Sequence, residues 1–409
     1  MVKKGYKQTE VGVIPEKWKD KKLGDVGKVC MCKRIFANQT SNTGEVPFFK
    51  IGTFGKEADA YISKGIYEDY KQRFSYPQKG DVLISAAGTL GRTIVFEGKD
   101  AYFQDSNIVW LATDKELLCN EYLYHYYKVI KWGASEGSTI ARLYNGIICN
   151  THIALPDVEE QKQIATVLSE IDELISLTEK QISKKKAIKQ GAMQELLTGK
   201  RRLPGFSGEW RYFNLMKNSK VKARIGWQGL KKSEYLDSGY ALLVTGTDFD
   251  DGRVLWDGCH YVTRSRYEQD RNIQLQNNDI LITKDGSLGK AALVQGLTKP
   301  ATLNSGIFVI RPLQDAYDPV FVYQILSSFV FKNFLDRLSA GSTIIHLYQK
   351  DVGKFEFLLP PTIAEQKAIA EALSEMDSDI AALENKLTKY RQVKQGMMQQ
   401  LLTGKIRLM

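Results

Sequence analysis

The chain has 409 residues, 43% of them apolar, and a formal net charge of +10. That length and apolar content fit two or more folded domains and exclude a disordered chain. The positive surplus permits a polyanionic partner but is spread along the chain, with no basic block to mark a site.

Residues 1–156 read as a first globular unit. Strand-like runs at Val46–Thr53, Asp81–Ser85, Thr93–Phe96 and Asn107–Ala112 are rich in β-branched or aromatic residues and are bounded by Gly, Asp or Asn. A helical pattern at Glu116–Lys131 interrupts them. Residues 157–203 then read as a long helix with a closing turn. Its apolar residues Ile164, Leu168, Ile171, Ile175, Thr178 and Ile182 step by three and four, the narrow seam of a coiled coil. Lys185 and Lys189 interrupt that seam, and Gly199 sits where a helix stops.

Residues 204–360 repeat the globular plan in looser form. Gly80–Arg92 (GDVLISAAGTLGR) lines up with Asn278–Lys290 (NDILITKDGSLGK), and Gly137-Ser138-Thr139-Ile140 with Gly341-Ser342-Thr343-Ile344. Residues 361–409 repeat the helix without a gap, Gln366 lying 205 positions after Gln161. Its seam is Ile369, Leu373, Met376, Ile380, Leu383, Leu387 and Tyr390, interrupted by Lys394. A period this long denotes two large units rather than a solenoid. At 1.5 Å per residue each helix is a rod of about 60 Å. A single apolar seam is unstable alone, so the expected solution packs the two helices antiparallel with a globular unit at each end. The alternative is that each helix docks on its own domain. The expected fold class is α+β, two mixed-β units with short helices, related by an internal pseudo-twofold repeat.

The chain resembles the specificity subunits of type I DNA restriction-modification enzymes over essentially its whole length. The resemblance rests on the two Gly-Ser-Thr turns and on Pro156 with Glu160-Gln161 and Pro361 with Glu365-Gln366 at the helix starts. It rests also on the Leu-Leu-Thr-Gly-Lys helix endings and on the opening Thr9–Glu16 with Trp18, echoed at Leu203–Phe206 with Trp210. It implies that each globular unit is a target-recognition domain and that the chain is non-catalytic. It further implies two modification (methyltransferase) subunits and restriction subunits as partners, with double-stranded DNA as ligand. S-adenosylmethionine would then be bound by the modification subunit and no cofactor by this chain. The expected compartment is the cytosol: no run approaches 18 apolar residues, no secretion signal opens the chain, and five cysteines are an odd, sparse set.

Two unlike readers on a rigid spacer should recognise two short, unlike sequences separated by an unread gap. Base edges supply specificity and phosphates supply affinity and register. The glycine-rich turn after each central strand is a candidate presenter: Ser85, Thr89 and Arg92 in the first unit, Thr283, Lys284, Ser287 and Lys290 in the second. A tight hairpin that simply needs glycine is the competing reading. Ser138 and Thr139 with Arg142, and Ser342 and Thr343 with His346, are candidates to hold phosphate, or else form a structural turn. Lys71 and Arg73, matched by Arg264 and Arg266, are further candidates or solvated surface charges.

Catalytic motifs are absent. Ala86 and Lys284 stand where a Walker A loop needs its first glycine, and there is no Asn-Pro-Pro-Tyr-like run or strand-borne Gly-x-Gly-x-x-Gly. Cys30-x-Cys32 has no second close pair, and four histidines show no repeated ligand spacing, so no metal is expected. Asp81 and Asp279 open the central strands and read as turn residues rather than nuclease carboxylates. A DNA-modifying enzyme acting alone lacks its cofactor motifs here. A purely structural coiled-coil adaptor would not need two different globular interiors.

Overall fold

The computed structural model describes residues 2–133, 142–339 and 346–408. The chain divides into two compact units, Met1–Glu179 with Asn385–Met409, and Lys180–Glu384. Each holds one globular part and half of each long helix.

In the first unit the strand-like runs form two sheets. Strands Gly27–Cys30, Ile108–Thr113, Val82–Ser85 and Thr93–Val95 lie side by side in that order, all antiparallel. Tyr61–Ile62, Val46–Phe49 and Tyr102–Phe103 form the second sheet, the last pairing parallel. The central strand Val82–Ser85 is buried throughout, and apolar up to its final serine, because both its faces are covered. Val82 and Ile84 face one core with Val109, Leu111 and Leu123, while Leu83 faces another with Trp110, Phe54 and Tyr102. Helices α1 (Lys64–Arg73), α2 (Asn120–Tyr127) and α3 (Asn145–Asn150) complete this part. The helix read from Glu116–Lys131 is shorter, because Cys119 caps it: its Sγ accepts from the Tyr122 amide.

The second unit repeats the plan. Strands Ser219–Lys222, Ile307–Pro312, Ile280–Thr283 and Ala291–Leu293 follow the same order, extended by Arg253–Val254 and Phe249–Asp250. Ala241–Val244 again pairs antiparallel on one side and parallel with Ala301–Leu303 on the other. Ile280 and Ile282 face one core, Leu281 the other.

The long helices are α4 (Val158–Leu196) and α9 (Ile363–Leu401). Between them in the chain come α5 (Arg264–Glu268), α6 (Pro319–Leu326), α7 (Phe329–Ser339) and α8 (Gln349–Val352). Asp157 caps the start of α4 through the Glu160 amide (2.9 Å), and Thr362 caps α9 through that of Glu365 (3.2 Å). Gly199 and Gly404 take positive φ at the helix ends.

The helix segments run antiparallel inside each unit. In the first, Glu160, Asp172 and Glu179 meet Arg407, Lys394 and Arg391 in that order. In the second, Lys185 and Lys189 meet Asp379 and Asp377, and Arg202 meets Glu365. Of the seam residues, Ile164, Leu168, Ile171, Ile182, Ile369, Leu373, Ile380 and Leu387 are buried. Ile175, Met376, Leu383 and Tyr390 are half-buried. The first turns of each helix also enter a domain core: Ile164 and Leu168 pack with Leu401, Leu402 and the sheet, and Ile369 and Leu373 pack with Leu196, Leu197 and the other sheet. The lysines that interrupt the seam have partners, Asp172 for Lys394 and Asp377 for Lys189. A polar pair at a seam position favours one register over its neighbours.

Candidate nucleic-acid interface

The glycine-rich turn is built alike in both units. Ser85 is buried, and its Oγ donates to the Thr89 carbonyl (2.6 Å) and accepts from the Arg92 amide (2.9 Å). Thr283 does the same, donating to the Ser287 carbonyl and accepting from the Lys290 amide (3.0 Å). These two hydroxyls tie the turn. Gly91 and Gly289 have φ of +76° and +73°, and a Cβ there would strike Trp132 and Leu335 respectively. Turn conformation and close packing therefore account for glycine at both positions. Thr89 and Ser287 are exposed, and their hydroxyls make no hydrogen bond among the described residues.

The matched cations brace the turn. Arg92 donates from Nη2 to the Ile51 carbonyl (3.0 Å) and lies over the Phe54 ring, with its covered Nε unpaired among the described residues. Lys290 donates to the Phe249 carbonyl. Lys284 lies over the Phe308 ring.

Ser138, Thr139, Ser342 and Thr343 lie outside the described residues. The residues just after them join the turn. Arg142 bridges to Ala87 and donates from Nη2 to Asn107 Oδ1 (3.0 Å); His346 bridges to Asp285 and bonds its carboxylate through Nδ1. The Leu143 amide donates to the Ala86 carbonyl, and the Leu347 amide to that of Lys284, both at 2.8 Å. One corner of each unit thus gathers the turn with Arg142 or His346.

The remaining candidates sit on separate elements. On α1, Lys71 donates to the Tyr67 hydroxyl (2.9 Å), a bond that raises its pKa. Arg73 pairs with Asp69 one helical turn away. On α5, Arg264 pairs with Glu268 and lies over Tyr240, while Arg266 pairs with Glu234 (2.6 Å).

Several residues that organise the units were not among the candidate contacts. Glu160 is buried, accepts from Trp18 Nε1 (3.0 Å) and binds Arg407 through both oxygens. Glu365 is buried and holds Arg202 in the same bidentate way. Gln161 accepts from the Cys119 amide (3.0 Å), and Gln366 from the Asp318 amide (2.8 Å), so each docks the short helix that follows, α2 or α6. On those helices the buried His125 faces Asp172 and Ser169, and the buried Gln324 faces Asp377. Burial, reinforced by nearby Lys128, pushes the His125 pKa down to about 4. Burial alone would raise the Asp172 carboxyl, but Lys394 and Lys128 hold it below its usual range. The signal for most of these was the fixed offset: Glu160/Glu365, Asp172/Asp377, Lys189/Lys394 and Arg202/Arg407 recur at the same spacing as the helices.

Among the described residues no group of three or more His, Cys, Asp or Glu side chains could hold a metal ion, and no helix is long and apolar enough to cross a membrane. Burial pushes the Cys32 and Cys259 thiols up to about 12, so they pack as small protonated hydrophobes.

Residues 15–186 and 228–394 match the family model for the type I restriction modification DNA specificity domain. A putative type I restriction enzyme specificity subunit of Haemophilus influenzae is 56% identical over 158 residues, covering 38% of this chain and 41% of that protein. The putative MjaX specificity subunit of Methanocaldococcus jannaschii is 26% identical over 98% of this chain and 97% of its own length. The fold is similar to the crystal structure of a type I restriction-modification S subunit from M. genitalium, with a TM-score of 0.63, 15% identity, and 94% and 96% of the two chains covered. A second similar chain comes from work on assembly and conformational transition of the type I R-M system, with a TM-score of 0.56, 16% identity, and 96% and 99% covered. With the family model matched across both units, the chain belongs to the type I restriction modification DNA specificity family.

Proposed function

We propose that the chain is the sequence-reading subunit of a type I restriction-modification enzyme, itself without catalytic chemistry. It reads a bipartite, asymmetric DNA target, one short block per unit, and positions modification and restriction subunits on that DNA. The observation that carries this reading is one frame built twice with different side chains at matched places. The turn with Arg142 and Asn107 in one unit stands against the turn with His346 and Asp285 in the other. Two readers of one fold and different chemistry should bind two different sequences.

In this account lysines and arginines neutralise phosphates, while loop side chains meet base edges. Methylation needs an adenine extruded from the duplex. The modification subunit performs that step with its own S-adenosylmethionine, and this chain places it over the base. The antiparallel helices set the gap between the blocks and offer one docking region to each of two modification subunits. The assembly works in the cytosol, where its DNA lies.

The test is selection of random-sequence duplexes by the full chain with its co-produced modification subunits. Two unlike enriched blocks at one spacing support the reading, and binding should weaken steeply as salt rises. Enrichment of one continuous block contradicts it.

A further inference from the structure

Tyr144 and Tyr348 occupy matched positions, two residues after Arg142 and His346. Each is 54% exposed. Each follows a buried leucine, Leu143 or Leu347, whose amide is fixed to the glycine-rich turn. Each starts a short helix, α3 or α8, without contributing a side-chain cap. Neither phenol oxygen makes a hydrogen bond among the described residues. Among the buried tyrosines, Tyr67, Tyr122 and Tyr126 use their hydroxyls internally, while those of Tyr102 and Tyr127 are covered and make no hydrogen bond among the described residues.

A core role does not account for a half-exposed aromatic ring, and here it appears twice on the same rigid frame. The polar side chains beside it differ between the units. A feature shared by two readers of different sequences should meet what their two targets have in common. On DNA that common part is the sugar–phosphate backbone, which tyrosine hydroxyls bind without reading sequence. Cations stand nearby: Arg142, held on Asn107, lies two residues before Tyr144, and the Lys350 ammonium sits 5.4 Å from the Tyr348 ring centroid; the His346 ring, 4.5 Å from that centroid, is bonded to the Asp285 carboxylate.

We propose that Tyr144 and Tyr348 are matched, sequence-independent backbone contacts, each donating its phenol hydrogen to a phosphate oxygen of its own half-site. The proposal rests on the DNA-reading function above. The two tyrosines hold the units in register on the duplex, so that the neighbouring, dissimilar side chains meet the bases.

The test uses the full chain with its modification subunits, the duplex enriched by the wild type, and the variants Tyr144→Phe, Tyr348→Phe and the double. Phenylalanine keeps the ring and removes only the donor, so folding is preserved. Each single variant is expected to weaken binding about tenfold, the double more than either. Selection by the variants should return the wild-type sequence, and co-purification of the modification subunits should be unchanged. Unaltered affinity in the double variant overturns the proposal. So does a changed enriched sequence, which would mean a base contact, or loss of modification subunits, which would mean a protein surface. A wild type that enriches no sequence overturns the DNA-reading function itself, a result separate from the others.

Discussion

Matched positions in the two units fall into two sets. In the first, the side chains are the same: Glu160 and Glu365 hold Arg407 and Arg202, Asp172 and Asp377 hold Lys394 and Lys189, and Gln161 and Gln366 dock α2 and α6. In the second, they change: His125 against Gln324, Arg142–Asn107 against His346–Asp285. Cys32, two residues past its strand, is matched by Arg224, whose guanidinium is buried on the Leu303 carbonyl (2.8 Å) and Thr302. The constant set lies where helix meets domain; of the variable set, Arg142–Asn107/His346–Asp285 and Cys32/Arg224 lie within the globular parts, while His125 and Gln324 face the long helices. Assembly is a task both units share; reading is not.

The strongest way to break the comparison is through the shared carboxylates. Glu160→Ala should strand the Arg407 guanidinium and Trp18 Nε1, and Glu365→Ala should take the carboxylate from Arg202, leaving it the Ser207 and Gly208 carbonyls. Each should cost about 3 kcal/mol in denaturant unfolding. Hydrogen exchange should show the loss in the unit that carries the change. A cost in one unit and none in the other would end the equivalence.

Acid should separate the units next. The folded His125 pKa is about 4, below the ordinary value of 6.5. The unfolded chain therefore binds the extra proton first, and this stabilisation is full above pH 6.5 and disappears as pH falls to 4. The imidazole faces Lys128, Asp172, Lys394 and Ser169, so its neutral form fits the site. The first unit should lose roughly 3 kcal/mol over that window. Gln324 gives the second unit no such step. Exchange measured across that pH range should show it, and His125→Gln should flatten it. A profile unchanged by that variant would assign the acid loss elsewhere.

A smaller effect of opposite sign is expected at Arg224, which has no ion-pair partner among the described residues and one covered nitrogen without an acceptor. Arg224→Met should raise the stability of the second unit by about 1 kcal/mol in thermal unfolding. A loss instead would show that the guanidinium supports this core in a way Cys32 does not. Smallest of all, Arg391→Ala removes an exposed pair with Glu179 and should shift stability by less than about 0.5 kcal/mol. A larger shift would mean that the outer helix pairs, and not the buried ones, hold the first unit together.

The helices and their pairing sense were legible because their signal is periodic: a seam such as Ile164 to Ile182 can be read without any contact known. The central strands were legible for a related reason, since only a strand covered on both faces is as apolar as Val82–Ser85. Side-chain roles in the turns were not legible. Ser85 and Thr283 look like presenters in a list of residues, yet each closes its own turn, because the acceptor is a carbonyl that the sequence does not point to. Arg264 and Arg266 look free until Glu268 and Glu234 are placed beside them. Tyr144 and Tyr348 were visible as matched letters, but their exposure depends on which neighbour fills the core, and Leu143 and Leu347 do.

Exchange of residues 204–360 for the matching segment of another specificity subunit tests the central claim most directly. Methylated-base sequencing of host DNA would read the outcome, with the modification subunits present. Two readers on one frame predict an asymmetric two-part motif in which one block changes while the other block and the gap stay fixed. A change in both blocks, a single continuous motif, or methylation produced by this chain alone would contradict the account.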